Sequence, residues 1–197
     1  MKRYTLVIAV ALLAGCASTD LRYHTLQPAI GHPEMSASKF RARLTSVQIP
    51  AEVDTEQLVV RANGNTLIRE SEDRWAAPLA DEIRGALDNA WRQDYGLEDV
   101  QGVDDASRSI PHVGVQIQKL DAAVGSHVEL VANWWVSLDQ AQAAKSWSCQ
   151  RVYFEHAEGG IDDLVDAQQR VFRSLAGDMA LSAVAMESGH VPVCPDH

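Results

Sequence analysis

The sequence predicts an α/β sandwich of the α+β kind: a mixed, largely antiparallel sheet with two main helices packed on one face. Three observations predict it. Apolar and polar residues alternate with period two in several runs between residues 40 and 155. The period changes to that of a helix in two stretches, 75–94 and 161–186. The resulting order is strands, helix, strand meander, helix, and such helices bury their apolar stripes against one side of a sheet.

The elements follow in chain order. Leu21-Arg22-Tyr23-His24-Thr25-Leu26 alternates and is β-prone, so it is a candidate first strand. Phe40, Ala42 and Leu44 alternate with Arg41, Arg43 and Thr45, and Pro50 ends that strand. Residues 57–61 and 66–69 flank Asn63-Gly64-Asn65, a hairpin signal. Trp75, Leu79, Ile83, Leu87 and Trp91 recur every fourth residue, which predicts an amphipathic helix over 75–94 with Pro78 in its first turn. Residues 98–110, with Gly102, Asp104, Asp105 and Ser107, read as a loop.

Three strands are expected next. His112–Asp121 alternates around Val113, Val115 and Ile117. His127–Leu138 places Val128, Leu130, Ala132, Trp134, Val136 and Leu138 on one face. Ser146–Glu155 places Trp147, Cys149, Arg151 and Tyr153 on one face and Val152 and Phe154 on the other. Gly159-Gly160 precedes the second helix, whose stripe runs from Ile161 to Met186 and stops before Gly189.

The N-terminus is a targeting segment. Met1-Lys2-Arg3 is positive, residues 4–14 carry no charge, and the run closes Leu13-Ala14-Gly15-Cys16. This is a secretory signal pattern, too short to span a bilayer. Its end matches the bacterial lipobox. Residues 1–15 are therefore expected to be removed, and the Cys16 thiol to carry a diacylglyceryl group with palmitate-type chains. Two or three acyl chains anchor a protein stably without a membrane span. Residues 16–20 are the lipidated tether and 21–197 a single domain. Ala17 is not the Asp that holds many lipoproteins in the inner membrane, so the expected place is the outer membrane, facing the periplasm.

The chain has 17 basic and 27 acidic residues. Loss of Lys2 and Arg3 with the signal leaves a net charge near −12. Such a domain does not attract nucleic acid or anionic lipid surfaces by charge. Cys149 and Cys194 are an even pair in an oxidising compartment. They either form a disulfide that pins the C-terminal tail or stay as two thiols.

The sequence holds no Gly-rich phosphate loop, no Gly-x-Ser-x-Gly elbow and no His-Glu-x-x-His. The seven histidines lack metal-ligand spacing, and His190, Cys194 and His197 lie in a terminal tail. Asp162-Asp163 suits the first turn of a helix and Asp104-Asp105 a solvated loop. No cofactor, no metal and no catalytic residue is expected. Trp134 and Trp135 point to opposite faces of their strand, and Trp134 belongs to the apolar one. Trp135, near Val131 on the mixed face, is either covered by another element or part of an interface.

One stretch carries a family resemblance. Val47-Gln48-Ile49-Pro50, then Gln57-Leu58-Val59-Val60-Arg61, then Arg74-Trp75-Ala76-Ala77-Pro78-Leu79 resembles the ABC-type transport auxiliary lipoproteins, the PqiC-like (YmbA-like) family. The lipobox and Tyr23-His24-Thr25-Leu26 precede it in the same order, while Ala51-Glu52-Val53-Asp54 departs from the family's pattern. The resemblance implies a non-enzymatic subunit of an intermembrane lipid transport system that supports membrane integrity. It implies as partners a PqiB-like periplasmic tunnel protein with MCE domains and inner-membrane transporter components. It also implies assembly of several copies into a ring. The competing reading is a stand-alone periplasmic module that binds a small apolar ligand.

Overall fold

Asn63 and Thr66 close a two-residue turn in which Gly64 takes φ +45°, a conformation that a side chain would strain. That turn joins β3 (Gln57–Asn63) to β4 (Thr66–Trp75) in an antiparallel pair. The short β1 (Arg22–His24) runs parallel to β4 on its other side, which gives a three-stranded sheet of order β1-β4-β3. These assignments come from a computed structural model that describes residues 20–28, 40–100, 110–138 and 145–195. Cys16, Asp104-Asp105 and His197 lie outside the described residues.

A second sheet of five strands has the order β5-β2-β6-β7-β8. β2 (Phe40–Gln48) pairs in parallel with β5 (Leu97–Asp99) and with β6 (His112–Ala123). β7 (Ser126–Leu138) and β8 (Lys145–Ala157) extend it as an antiparallel meander. The architecture is thus mixed α+β with two sheets, where the sequence suggested a single one. The separation has a local cause. β2 stops pairing at Gln116, and β3 comes up beside the remaining part of β6 instead of continuing the ladder.

The two helices pack on one face of the five-stranded sheet. α1 (Leu79–Ala90) continues as a wider π-turn over Trp91–Tyr95. α2 (Ile161–Glu187) lies across β6, β7 and β8. Val128, Leu130, Ala132, Trp134, Val136 and Leu138 of β7 are all buried beneath it, as the alternation requires. Trp134 donates its indole N–H to Ser182 Oγ at 3.2 Å, and Trp91 donates to the Ala176 carbonyl at 3.0 Å. Both large rings thus keep a polar partner inside the core.

Two sequence expectations need correction. Trp75 does not open a helix; it is the last residue of β4, and α1 starts at Leu79. Its side chain is buried with Asp73 through strand alternation, so the four-residue step to Leu79 is coincidental. Residues 98–99 are not loop but belong to β5, which covers the open edge of β2.

Candidate functional site

With both helices on one side, the opposite face of the five-stranded sheet has no layer over it among the described residues. Its central strand β7 carries His127, Glu129, Val131, Asn133, Trp135 and Ser137, all half-buried. β8 presents Gln150, Val152, Phe154 and His156, all exposed. Register places Phe154 beside Glu129, Val152 beside Val131 and Ser148 beside Trp135. Val131 and Val152 therefore form a cross-strand apolar pair on an open face. Phe154 is 52% exposed and Val152 47%. The Phe154 ring stacks on His127 at 5.1 Å and meets His156 edge-on at 5.2 Å.

Val131 and Trp135, singled out from sequence, both lie on this face. Trp135 sits opposite Gly114 of β6, and its indole lies over that glycine. It is partly covered by its own sheet and keeps partial exposure. Val152 and Phe154 carry more of the exposed apolar surface. Their signal in the sequence is two apolar residues on the strand face that a one-sided sheet would leave polar.

Beyond the apolar stripe the face is charged. Lys119 Nζ lies 3.0 Å from Glu129 and 3.5 Å from Asp121, and Arg61 Nε donates to Asp121 at 2.5 Å. The hydrogen bond to Glu129 holds the Lys119 ammonium above its ordinary range. These pairs link β3, β6 and β7 across the join of the two sheets.

The N-terminal strand is held by a separate polar clasp. Asp73 of β4, 3% exposed, receives a hydrogen bond from Arg22 at 2.7 Å and lies 2.6 Å from His24 Nε2. Burial pushes the Asp73 carboxyl up, but the contacts with His24 and Arg22 outweigh it and hold the group below the usual range. Asp162, in the first turn of α2, lies 3.8 Å from the other ring nitrogen of His24. The buried Glu82 of α1 accepts from the Thr25 hydroxyl at 2.7 Å and from the Leu26 N–H at 2.9 Å. Leu26 is thereby set into the core between the helices.

Beside this clasp, a groove of about 200 Å³ between α1 and α2 is lined by Leu26, Pro28, Ala86 and Ala90 with Arg170 and Arg173. Arg173 is held by both oxygens of Asp94, and Arg170 by Glu155. Tyr153 donates to Asp178 at 2.7 Å, and Arg151 reaches the same carboxylate. Burial, then that hydrogen bond, pushes the Tyr153 hydroxyl far above its ordinary range. It is fixed as a proton donor within the fold.

Cys149 of β8 and Cys194 of the tail are joined by a disulfide, with Cα atoms 5.6 Å apart and a separation of 45 positions in sequence. The tail is thus fastened beside the first half of β8. Among the described residues, no group of three or more His, Cys, Asp or Glu is placed to hold a metal ion. No helix among them is long and apolar enough to cross a membrane.

Known proteins resemble the chain as follows. A family model described as "ABC-type transport auxiliary lipoprotein component" matches residues 24–180. No curated protein matches by sequence. The chain is similar in fold to a crystal structure of an uncharacterized protein, with a TM-score of 0.63 at 12% identity over 82% of this chain and 97% of that one. It is also similar to a protein from Xanthomonas campestris assigned to the family DUF330, with a TM-score of 0.54 at 11% identity over 85% and 98% of the two chains.

Proposed function

The chain belongs to the ABC-type transport auxiliary lipoprotein component family, and from that premise we propose that it is a non-enzymatic, outer-membrane-anchored subunit of an MCE-type intermembrane lipid transport system. The observation that carries the proposal is the extent of the family match, which runs from β1 into α2. In this reading Cys16 bears the acyl anchor and residues 17–20 tether the domain to the periplasmic leaflet. The open face with Val131, Trp135, Val152 and Phe154 meets a periplasmic partner with MCE domains. Several copies, arranged as a ring, seat the far end of the lipid conduit at the outer membrane and so support membrane integrity. Exposed aromatic and aliphatic side chains flanked by paired charges suit such a contact.

A stand-alone binder of a small apolar ligand needs an apolar cavity. The void lined by Val53, Val59, Trp75, Leu79, Leu120, Ala122 and Gln168 is about 10 Å³, room for one water, so the groove of about 200 Å³ beside Leu26, Pro28, Ala86 and Ala90 is where such a ligand would sit.

The test is affinity capture of the acylated protein from a strain that also makes the MCE-domain protein. Recovery of that protein is expected. Its absence from the captured material, with both proteins expressed, would overturn the docking reading. Cys16→Ser should leave the domain folded and abolish function in the cell; full function of the unanchored protein would contradict the role given to the anchor.

A further inference from the structure

The groove between α1 and α2 is built by two matching helix faces. Residues 86, 89 and 90 of α1, with Gln93 of the wider turn, look across at residues 166, 169, 170 and 173 of α2. Both sets follow the three-and-four spacing of a single helix face. Faces of this kind normally interdigitate. Here Ala86 and Ala90 are too small to fill the space, and Leu26 and Pro28 of the N-terminal segment complete an apolar floor.

The polar groups around that floor are unevenly spent. Asp94 holds Arg173 and Glu155 holds Arg170, so both guanidinium charges are matched within the chain. Asp166, on the same face of α2, has no hydrogen bond or ion pair among the described residues. Gln169 donates its Nε2–H to the Thr25 carbonyl at 3.0 Å. A carbonyl can only accept, so the amide is fixed in that sense and its Oε1 is left over. Asn89 is 8% exposed, yet Gln93 engages only one end of its amide, at 2.8 Å. A buried polar end costs free energy until it finds a partner. The groove therefore offers an unmatched negative charge, a carbonyl oxygen beside it and an apolar floor. An anion would meet Asp166 with no unmatched cation to hold it, and a purely apolar molecule would leave the polar groups unanswered. A protonated primary amine answers the oxygens with its N–H groups and the floor with its hydrocarbon. With about 200 Å³ available and about 30 Å³ for each water-sized group, about seven such groups fit. That suits an amine on a short chain and excludes a two-chain lipid.

We infer that this groove binds a small aliphatic primary amine, with the ammonium at Asp166 and Gln169 and the hydrocarbon on Leu26, Pro28, Ala86 and Ala90. Binding also braces the N-terminal segment. Gln169 holds the Thr25 carbonyl, and Leu26 is both the floor of the groove and a residue pinned by Glu82. The inference rests on the groove's own chemistry and not on the transport reading, so a failed capture of an MCE-domain protein leaves it intact.

The experiment uses the full-length acylated protein in detergent, with hexylamine as the probe and hexanoate as its anionic counterpart. Each variant is measured in the same detergent, which cancels partition of the probe into micelles. Saturation-transfer NMR should give a dissociation constant of about 1 mM for hexylammonium and a value about tenfold weaker for hexanoate. Asp166→Asn, an exposed change that spares the fold, should weaken hexylammonium about threefold. Ala90→Leu fills the floor and should abolish saturable binding without lowering the unfolding temperature. At saturation, hydrogen exchange at residues 22–26 should slow while exchange in β7 stays as it was. The inference is overturned if hexanoate binds as well as hexylammonium, if Asp166→Asn leaves the constant unchanged, or if Ala90→Leu still binds. It is overturned equally if no saturable binding appears in the millimolar range. Unchanged exchange at 22–26 with the groove saturated would overturn the bracing of the N-terminal segment.

Discussion

The indole of Trp135 lies across Gly114 on the neighbouring strand. A Cβ built on Gly114 would approach Trp135 Cζ2 too closely for any real contact, and would stand 2.9 Å from Ser46 Oγ. The glycine is therefore fixed by the tryptophan. Gly114→Val should cost about 1–3 kcal/mol through overpacking, read by urea unfolding. Gly114→Ala combined with Trp135→Ala should cost less than the sum of the two singles, since the clash vanishes with the ring.

Asp73 gives the fold an acid-sensitive contact. Its carboxyl is held below the usual range in the folded state, so its contribution is fully present above the ordinary carboxylate value, about 3.9. The contribution fades as pH falls through the depressed folded value. Asp73→Asn should destabilise by about 1–3 kcal/mol near neutral pH. The gap in unfolding temperature between variant and wild type should shrink steadily below about pH 4. A gap that does not change with pH would show that the loss is one of packing.

Glu82→Leu fills the same buried space but leaves the Leu26 N–H and the Thr25 hydroxyl without their acceptor. A buried, unpaired N–H costs about 1–3 kcal/mol. The damage should be local. Hydrogen exchange at residues 22–26 should quicken while β7 stays protected. Equal loosening of β7 would show that Glu82 supports the whole core.

The Cys149–Cys194 link closes a loop of 45 residues. On the loop-entropy account it stabilises by about 4 kcal/mol. Cys194→Ser should lower the denaturant midpoint and expose the tail after Gly189 to proteolysis. Unchanged cleavage of the tail would mean that other contacts hold it.

The long periodic elements were readable in the sequence because one face of each is buried. The β7 stripe from Val128 to Leu138 and the α2 stripe from Ile161 to Met186 needed no tertiary knowledge. The sequence marks β4 only over 66–69, because Glu70-Ser71-Glu72-Asp73-Arg74 has no apolar residue to show an alternation. Asp73 is buried there because His24 and Arg22, some fifty positions away, satisfy it. β5 has three residues, too few to show a period. The surface stripe of Val152 and Phe154 was visible as an alternation. Its openness was not, because that depends on both helices choosing the other face of the sheet.

The clasp on β1 also has a mechanical meaning. A pull on the chain ahead of residue 20 reaches β1 first and acts as shear along its parallel seam with β4. Three paired residues, the grip of Asp73 and the two bonds to Glu82 take that load in series with the rest of the fold. A tethered protein under tension would thus yield at its N-terminal strap while the five-stranded sheet stayed whole, and could recover by re-zipping three residues.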